Sequence, residues 1–115
     1  MSETKGAVSI HPYFKVNEGK IDEFKSLLPV FVEKTSSEAG CLYYEFTIKD
    51  DAVVFCREAY VSADAVLAHL ENVGELLGKA LGISELLRLE LHGPEAELAK
   101  LREPLKDLGP EWFVC

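Results

Sequence analysis

The sequence predicts an α+β fold in which two helices cover one face of a four-stranded antiparallel sheet, in the ferredoxin-like arrangement. Three observations predict it. Apolar and polar residues alternate with a period of two in four segments of the chain. Apolar residues recur at helical spacing between the first and second of these segments, and again between the third and fourth. The resulting order is β, α, β, β, α, β, which is that of the split βαβ unit.

The chain is large enough for one domain, with 115 residues and a mass of 12.8 kDa. We divide it into a domain over residues 1–93 and a C-terminal helix and tail over 94–115, which we expect to pack on the domain or on a second subunit. The net charge of -8 argues against binding to the phosphate backbone of nucleic acids. Residues 1–6 lack the apolar core of a signal peptide, and no apolar run approaches the roughly 20 residues that span a bilayer. We therefore predict a cytoplasmic protein.

The first strand and the first helix follow from the pattern of residues 7–37. Alternation over 7–16 predicts a strand, and Pro12 within it should lie at a bulge or on an edge because it donates no ladder hydrogen bond. Apolar residues at three- and four-residue spacing predict a helix over 19–37. Pro29 should kink this helix without dividing it. Gly40 is expected to take a positive φ that closes the helix end.

Two strands in the middle of the chain form the predicted centre of the sheet. Residues 41–48 and 53–60 alternate, and the turn over 49–52 has the length of a hairpin connection. The second of these strands carries apolar residues on both faces, which is typical of a strand covered on both sides. Because the helices cover only one face, we expect the other face to be buried in a homodimer.

The second helix is predicted to begin after Ser62, whose hydroxyl can accept a hydrogen bond from the first turn. It should continue to about residue 71. Residues 72–74 are Asn-Val-Gly and are expected to interrupt it, and 75–81 should form a further short helix that ends at Gly82.

The last strand and the tail complete the predicted fold. Residues 84–92 alternate, with an apolar face made of Leu87, Leu89 and Leu91. Pro94 suits the first position of a helix, and residues 95–101 should form two turns. Prolines and a glycine break up the pattern over 104–110. The apolar residues 112–114 should dock on the domain or on a second subunit.

Neither the cysteines nor the histidines indicate a metal site. Cys41, Cys56 and Cys115 are an odd set without metal-ligand spacing, so reduced thiols are expected. The three histidines, His11, His69 and His92, share no local ligand spacing either. We therefore predict no metal site.

Four short motifs occur in order along residues 7–92. They are the turn Val16-Asn17-Glu18-Gly19-Lys20 into the first helix with Phe24, the exit Thr35-Ser36-Ser37-Glu38-Ala39-Gly40-Cys41 with Tyr44, the strand 55–60 with Glu58, and Ser62, Ala65, His69 and Leu70 on the second helix. Together they resemble the antibiotic biosynthesis monooxygenase (ABM) family. The resemblance implies a dimeric α/β barrel, and it implies fold more strongly than function.

The family includes cofactor-independent oxygenases of aromatic polyketides or quinols, haem-degrading enzymes and proteins without known activity. In the oxygenases a phenol is ionised in a pocket between sheet and helices and passes an electron to O2. The resemblance does not extend to haem degradation, because the position of the iron-ligating histidine is occupied by Lys79. It therefore implies a cofactor-independent monooxygenase of a small aromatic or quinol-like substrate.

The candidate site residues follow from this resemblance. His69 is the candidate base, because an imidazole pKa near 6.5 suits proton transfer near neutrality. Tyr60 is the second candidate catalytic residue, and either Tyr60 or Tyr44 is expected to orient the substrate. The candidate substrate-binding residues are Tyr44, Glu58, Arg57 and His11. Arg57 and Glu58 are adjacent on a strand and point to opposite faces, so they cannot pair with each other.

Each candidate also has a structural interpretation. His69 can be a partly buried helix histidine satisfied by a carboxylate, Glu58 can be held by an arginine or by backbone donors, and the tyrosines can fill the core. The alternative function is accordingly a non-catalytic dimeric module of the same fold that binds a small molecule or is associated with stress. An open pocket lined by His69 and tyrosines would favour the enzyme, and a filled one the module.

Overall fold

The computed structural model describes residues 6–115. Residues 1–5 lie outside that range, and part of the signal-peptide prediction depends on them. The elements are β1 (Val8–Val16), α1 (Ile21–Thr35), β2 (Cys41–Lys49), β3 (Val53–Tyr60), α2 (Ala63–Gly82), β4 (Ser84–Gly93), α3 (Glu95–Leu105), a 3₁₀ turn (Lys106–Leu108) and β5 (Glu111–Val114).

The sheet has the ferredoxin-like strand order that the sequence predicts, with one additional strand. Its order is β2-β3-β1-β4-β5, and the first four strands pair antiparallel. β5 pairs parallel to β4 at the edge, so the prediction of a four-stranded, wholly antiparallel sheet is wrong by one strand. Gly109, with φ 64°, ends the 3₁₀ turn and lets the chain run back along β4. A strand of only four residues is too short for alternation to reveal it.

Helix α2 is continuous, so the predicted interruption at residues 72–74 is wrong. Its glycines at positions 74 and 78 lie on its open side, where an added Cβ would meet no atom within 4 Å. Each glycine costs the helix about 1 kcal/mol relative to alanine. The apolar stripe of Val73, Leu76 and Ala80, buried against the sheet, offsets that cost.

Gly40 has a role other than the predicted one. Helix α1 is a single helix that contains Pro29, as predicted, but it ends at Thr35, and Gly40 does not have a positive φ. A Cβ on Gly40 would lie 2.6 Å from the Cβ of Ala65 on α2. The glycine is therefore required because the α1–β2 connection passes directly against α2.

Strand β4 contains an irregularity that the alternation did not show. Its register with β1 shifts between Tyr13 and Phe14, which places Leu86 opposite Phe14 and leaves Leu87 49% exposed. The prediction that Leu87 lies on the apolar face is therefore wrong. Pro12 lies one residue from this shift, in a central strand and not on an edge, and β1 makes no pairing with β3 at His11 and Pro12.

The three helices pack on one face of the sheet and leave the other face open. Two apolar clusters fill the space beneath the helices, one around Tyr60, Val66 and Leu98 and one around Phe24 and Val73. The opposite face carries a row of aromatic side chains, including Tyr13 against Phe55 with ring centroids 4.7 Å apart. Within residues 6–115 no helix has the length and apolar character needed to cross a membrane.

Candidate functional site

A small cavity lies between the sheet and the helices. Its volume is about 60 Å³, and its walls are almost entirely apolar, formed by aromatic and aliphatic side chains of β1–β4, of helices α1, α2 and α3 and of the 3₁₀ turn. Polar groups are confined to one part of the wall, where His69, Glu58 and Tyr44 meet. An apolar pocket with a few convergent polar groups is typical of a small-molecule site.

His69 lies at the centre of these polar groups. It is on the buried face of α2 and is only 2% exposed, because the helical stripe that includes Val66 and Val73 turns it toward the sheet. Its Nδ1 lies 3.0 and 2.9 Å from the two carboxylate oxygens of Glu38. The rings of Tyr44 and Tyr60 pack against it, with centroids 5.1 and 5.0 Å from the imidazole.

Glu58 is the second buried polar group, on β3 and 5% exposed. Its Oε1 accepts a hydrogen bond from the Tyr60 hydroxyl at 2.5 Å and lies 3.6 Å from Nε2 of His69. Glu58 and Tyr60 are two residues apart on one strand, so both side chains project to the same, helix-covered face of the sheet. A single carboxyl oxygen thus lies near a phenol and an imidazole, and all three side chains are buried.

Burial changes the protonation of both groups. It raises the pKa of Glu58 to about 7, although hydrogen bonds from Tyr60 and Cys56 act in the opposite direction. Burial also lowers the pKa of His69, against the raising effect of the Glu38 carboxylate. The pKa values of the Tyr60 and Tyr44 hydroxyls are raised, first by burial and next by the charge of Glu58. Near neutrality His69 is therefore a neutral imidazole able to accept a proton, beside a carboxyl group able to hold one.

The structure places the candidate residues around two concavities, and Tyr44 and Glu58 line both of them. His69, Glu58 and Tyr44 line the cavity, and Tyr60 contacts both His69 and Glu58 from outside its wall. Arg57 is exposed and pairs with Glu45, as expected from its position beside Glu58. His11 lies with Arg57 on the open face, where both line a concavity of about 550 Å³. The structure does not bring these two residues to the cavity.

Two site residues, Glu38 and Asn72, were missed from the sequence. The Asn72 amide nitrogen donates to Oε2 of Glu38 at 2.7 Å and to the backbone oxygen of Lys34 at 2.9 Å. Asn72 follows His69 by three residues on α2, and this spacing places the two on one side of the helix. Glu38 is 31 positions from His69 in the sequence, and no local sequence pattern indicates so distant a contact.

The side chains of residues 6–115 include no group of three or more His, Cys, Asp or Glu that could hold a metal ion. The cavity itself offers one imidazole and one carboxyl group. Both of these side chains are able to accept and donate protons.

Comparison with known families and structures adds independent findings. Residues 7–74 match the family model described as antibiotic biosynthesis monooxygenase. A comparison with curated proteins finds no match. Among solved structures, MupZ from Pseudomonas fluorescens is 40% identical with a TM-score of 0.90, covering 96% of this chain and 86% of MupZ.

More distant structures share the fold. A cofactor-independent oxygenase, SnoaB from Streptomyces nogalater, is 17% identical with a TM-score of 0.65, covering 75% of this chain and 90% of SnoaB. A conserved protein from Methanosarcina mazei Go1 is 16% identical with a TM-score of 0.71, covering 77% of this chain and 93% of that protein. At these identities the likeness shows the fold alone.

Proposed function

The chain belongs to the antibiotic biosynthesis monooxygenase family, and on that premise we propose that it is a cofactor-independent monooxygenase of a small aromatic or quinol-like substrate. His69 is the proposed base. The observation that carries the proposal is the cavity between sheet and helices, in which the His69 imidazole and the Glu58 carboxyl group lie 3.6 Å apart among apolar walls.

The side chains support the first step of such a reaction. A phenol bound in the cavity would give its proton to Nε2 of His69, the ring nitrogen that faces Glu58 and not Glu38. The apolar walls exclude water, which would otherwise solvate the resulting anion and weaken the electrostatic influence of the protein on it. The rings of Tyr60 and Tyr44 both pack against the imidazole. The later electron transfer to O2 is a property of family oxygenases, and we extend it to this protein by membership.

The volume of the cavity favours a second candidate function. A cavity of about 150 Å³ holds benzene, and the present one, at about 60 Å³, holds an aromatic ring only if lining side chains move. A non-catalytic module that binds a smaller molecule fits the observed volume without rearrangement. The two candidates differ in whether bound substrate is converted.

We further propose that the protein is a homodimer that buries the open face of the sheet. Members of the family are typically dimeric. The open face carries the aromatic rings of Tyr13, Phe55, Phe113 and Tyr43, of which Tyr43 is 54% exposed in the single chain. A two-fold contact between two such faces would remove this apolar area from water.

Oxygen consumption tests the proposed activity. The purified protein is assayed with a panel of hydroquinones and anthrones, and the His69→Ala variant is assayed beside it. The wild type is expected to consume O2 with at least one substrate, and loss of the base is expected to reduce kcat by about 100-fold or more. The Glu71→Ala variant, changed at an exposed position of the same helix, is expected to match the wild type.

The outcomes separate the candidates. Equal turnover by wild type and His69→Ala would refute the role of His69 as base. Turnover without O2 consumption would retain proton-transfer catalysis and reject the monooxygenase. Saturable binding of a small molecule with no turnover of any panel member would favour the binding module.

A further inference from the structure

A three-residue chain of hydrogen bonds holds the imidazole of His69 from the side away from the cavity. It runs from the end of α1 through Asn72 and Glu38 to Nδ1 of His69. Glu38 lies in the connection between α1 and β2, and its side chain is only 12% exposed.

The amide orientation of Asn72 follows from its surroundings. One group within reach of its nitrogen is a backbone carbonyl oxygen and the other is a carboxylate oxygen, and both can only accept. The NH₂ group must therefore face them, and both of its hydrogens are used. This anchors Glu38 Oε2 to the C-terminal turn of α1 and fixes the position of the carboxylate.

The tautomer of His69 follows from the position of Glu38. Both oxygens of that carboxylate lie within 3.0 Å of Nδ1, so Nδ1 must carry a hydrogen. In the neutral ring Nε2 then has the free lone pair, and Nε2 is the nitrogen that lies toward Glu58. The ring is thus presented to the cavity as an acceptor.

We propose that Glu38 is the positioning residue of the proposed base, selecting the Nδ1–H tautomer of His69 and stabilising the imidazolium that forms when Nε2 takes a proton, with Asn72 holding Glu38 in place. The assignment rests on the proposed role of His69. In the step concerned, the substrate O–H bond breaks and an Nε2–H bond forms. The Nδ1 hydrogen stays on the ring, and no electron is transferred.

The electrostatics of the site agree with this role. Burial lowers the pKa of His69, so a charged imidazolium would be costly there without a partner. The carboxylate of Glu38 acts against burial, both through its hydrogen bond and through its charge. Glu58, on the cavity side, holds a proton up to about pH 7 and supplies less negative charge below that pH.

Nuclear magnetic resonance of the ¹⁵N-labelled full chain tests the assignment without requiring turnover. The ring nitrogens of His69 are read in wild type, and we expect the Nδ1–H tautomer. In Glu38→Gln the amide oxygen can still accept from Nδ1 but the charge is gone, so the tautomer should persist while the pKa of His69 falls by about one unit. Asn72→Ala frees the carboxylate and should lower the pKa of His69 less than Glu38→Gln does.

The control for this experiment is a glutamate of α1 that lies away from His69. Glu33→Gln removes the same charge from an exposed position of α1 and should leave both tautomer and pKa of His69 unchanged. An Nε2–H tautomer in wild type, or a His69 pKa that is equal in Glu38→Gln and wild type, would overturn the assignment. Because these readouts need no substrate, they can fail or succeed independently of the oxygen-consumption assay.

If the enzyme assay is positive, kinetics provide a second readout. Glu38→Gln should lower kcat at least about tenfold with little change in KM, because the carboxylate acts on the charged ring formed in the reaction and not on the bound substrate. A change confined to KM would contradict the proposed role.

Discussion

Nε2 of His69 and Oε1 of Glu58 lie 3.6 Å apart, and both side chains are almost completely removed from water. Burial acts on them in opposite directions, since it disfavours the cationic form of one and the anionic form of the other. The pair therefore holds one proton on the carboxyl group at a pH at which an exposed glutamate would have lost it. This relationship has a consequence for stability that does not depend on any activity.

The first prediction concerns the pH dependence of stability. The folded protein keeps the Glu58 proton to about pH 7, whereas the unfolded chain loses it near pH 4.5. Between these values the folded state binds more protons, so the contribution of Glu58 to the free energy of unfolding is present at low pH and lost as pH rises to about 7. Glutamine does not ionise, so the Glu58→Gln variant does not lose this stabilisation as the pH rises. Relative to wild type, the variant should gain about 2 kcal/mol between pH 5 and pH 8.

Urea unfolding at the two pH values measures this difference. His69 has a lowered pKa and loses stabilisation as pH falls, but it is present in both proteins and contributes to both curves. Glu75→Gln, at an exposed position of α2, serves as the charge-matched control and should show no such trend. A difference between Glu58→Gln and wild type that is constant with pH would show that Glu58 is ionised in the folded protein at pH 5.

The sequence contains more information about the fold than about the site. Alternation and helical spacing predict six elements in order because each element spans eight or more residues of periodic pattern. His69 and Glu58 were identified through the resemblance of short motifs. Glu38 was not identified, because its contact with His69 joins a loop to a helix 31 positions away, and a single sequence shows no such pairing.

The errors in the fold have a common physical origin. Local propensity at Asn72 and Gly74 predicts a break in the helix, but tertiary packing of the neighbouring apolar stripe overrides that propensity. A glycine after a helix commonly caps it, and this local rule predicts a positive φ at Gly40. Its actual constraint is the proximity of Ala65, which depends on how α2 lies against the α1–β2 connection.

The second prediction tests that close approach. Gly40→Ala would place a methyl group 2.6 Å from the Cβ of Ala65, and since neither atom can rotate away, the backbone must shift. We expect a loss of about 1–3 kcal/mol in the free energy of unfolding. Gly78→Ala is the control, because an added Cβ there meets nothing within 4 Å, and it should stabilise α2 by about 0.5–1 kcal/mol.

A double variant distinguishes the steric effect from other causes. Ala65→Gly alone should cost about 1 kcal/mol through helix propensity. If the two positions clash as described, Gly40→Ala combined with Ala65→Gly should be more stable than the sum of the two single changes indicates. If the two changes in the free energy of unfolding are strictly additive, the cost of Gly40→Ala does not come from contact with Ala65.

The third prediction concerns the proposed dimer. Phe55 packs on Tyr13 in the middle of the open sheet face, and a lysine at position 55 would place a charge in the proposed interface. Sedimentation velocity should show a dimer for wild type and a monomer for Phe55→Lys. Val32→Lys, on the helical surface where Val32 is 45% exposed, should remain dimeric. A monomeric wild type at micromolar concentration would refute the proposal.

The fourth prediction concerns β5, which joins the tail to the domain through Trp112. The indole packs against the cluster that contains Leu98 and Leu101, and the guanidinium carbon of Arg102 lies 5.0 Å from the centre of its ring. Because Trp112 is only partly buried, Trp112→Ala should cost about 2 kcal/mol, less than truncation of a fully buried tryptophan. Val114→Ala, on the same strand at a position 55% exposed, should change stability by less than about 0.5 kcal/mol.

Deletion of residues 109–115 should lower the melting temperature and increase binding of the dye ANS, since it uncovers the apolar surface beneath the indole. Equal melting temperatures for Trp112→Ala, the deletion variant and wild type would mean that β5 contributes nothing to holding α3 against the sheet.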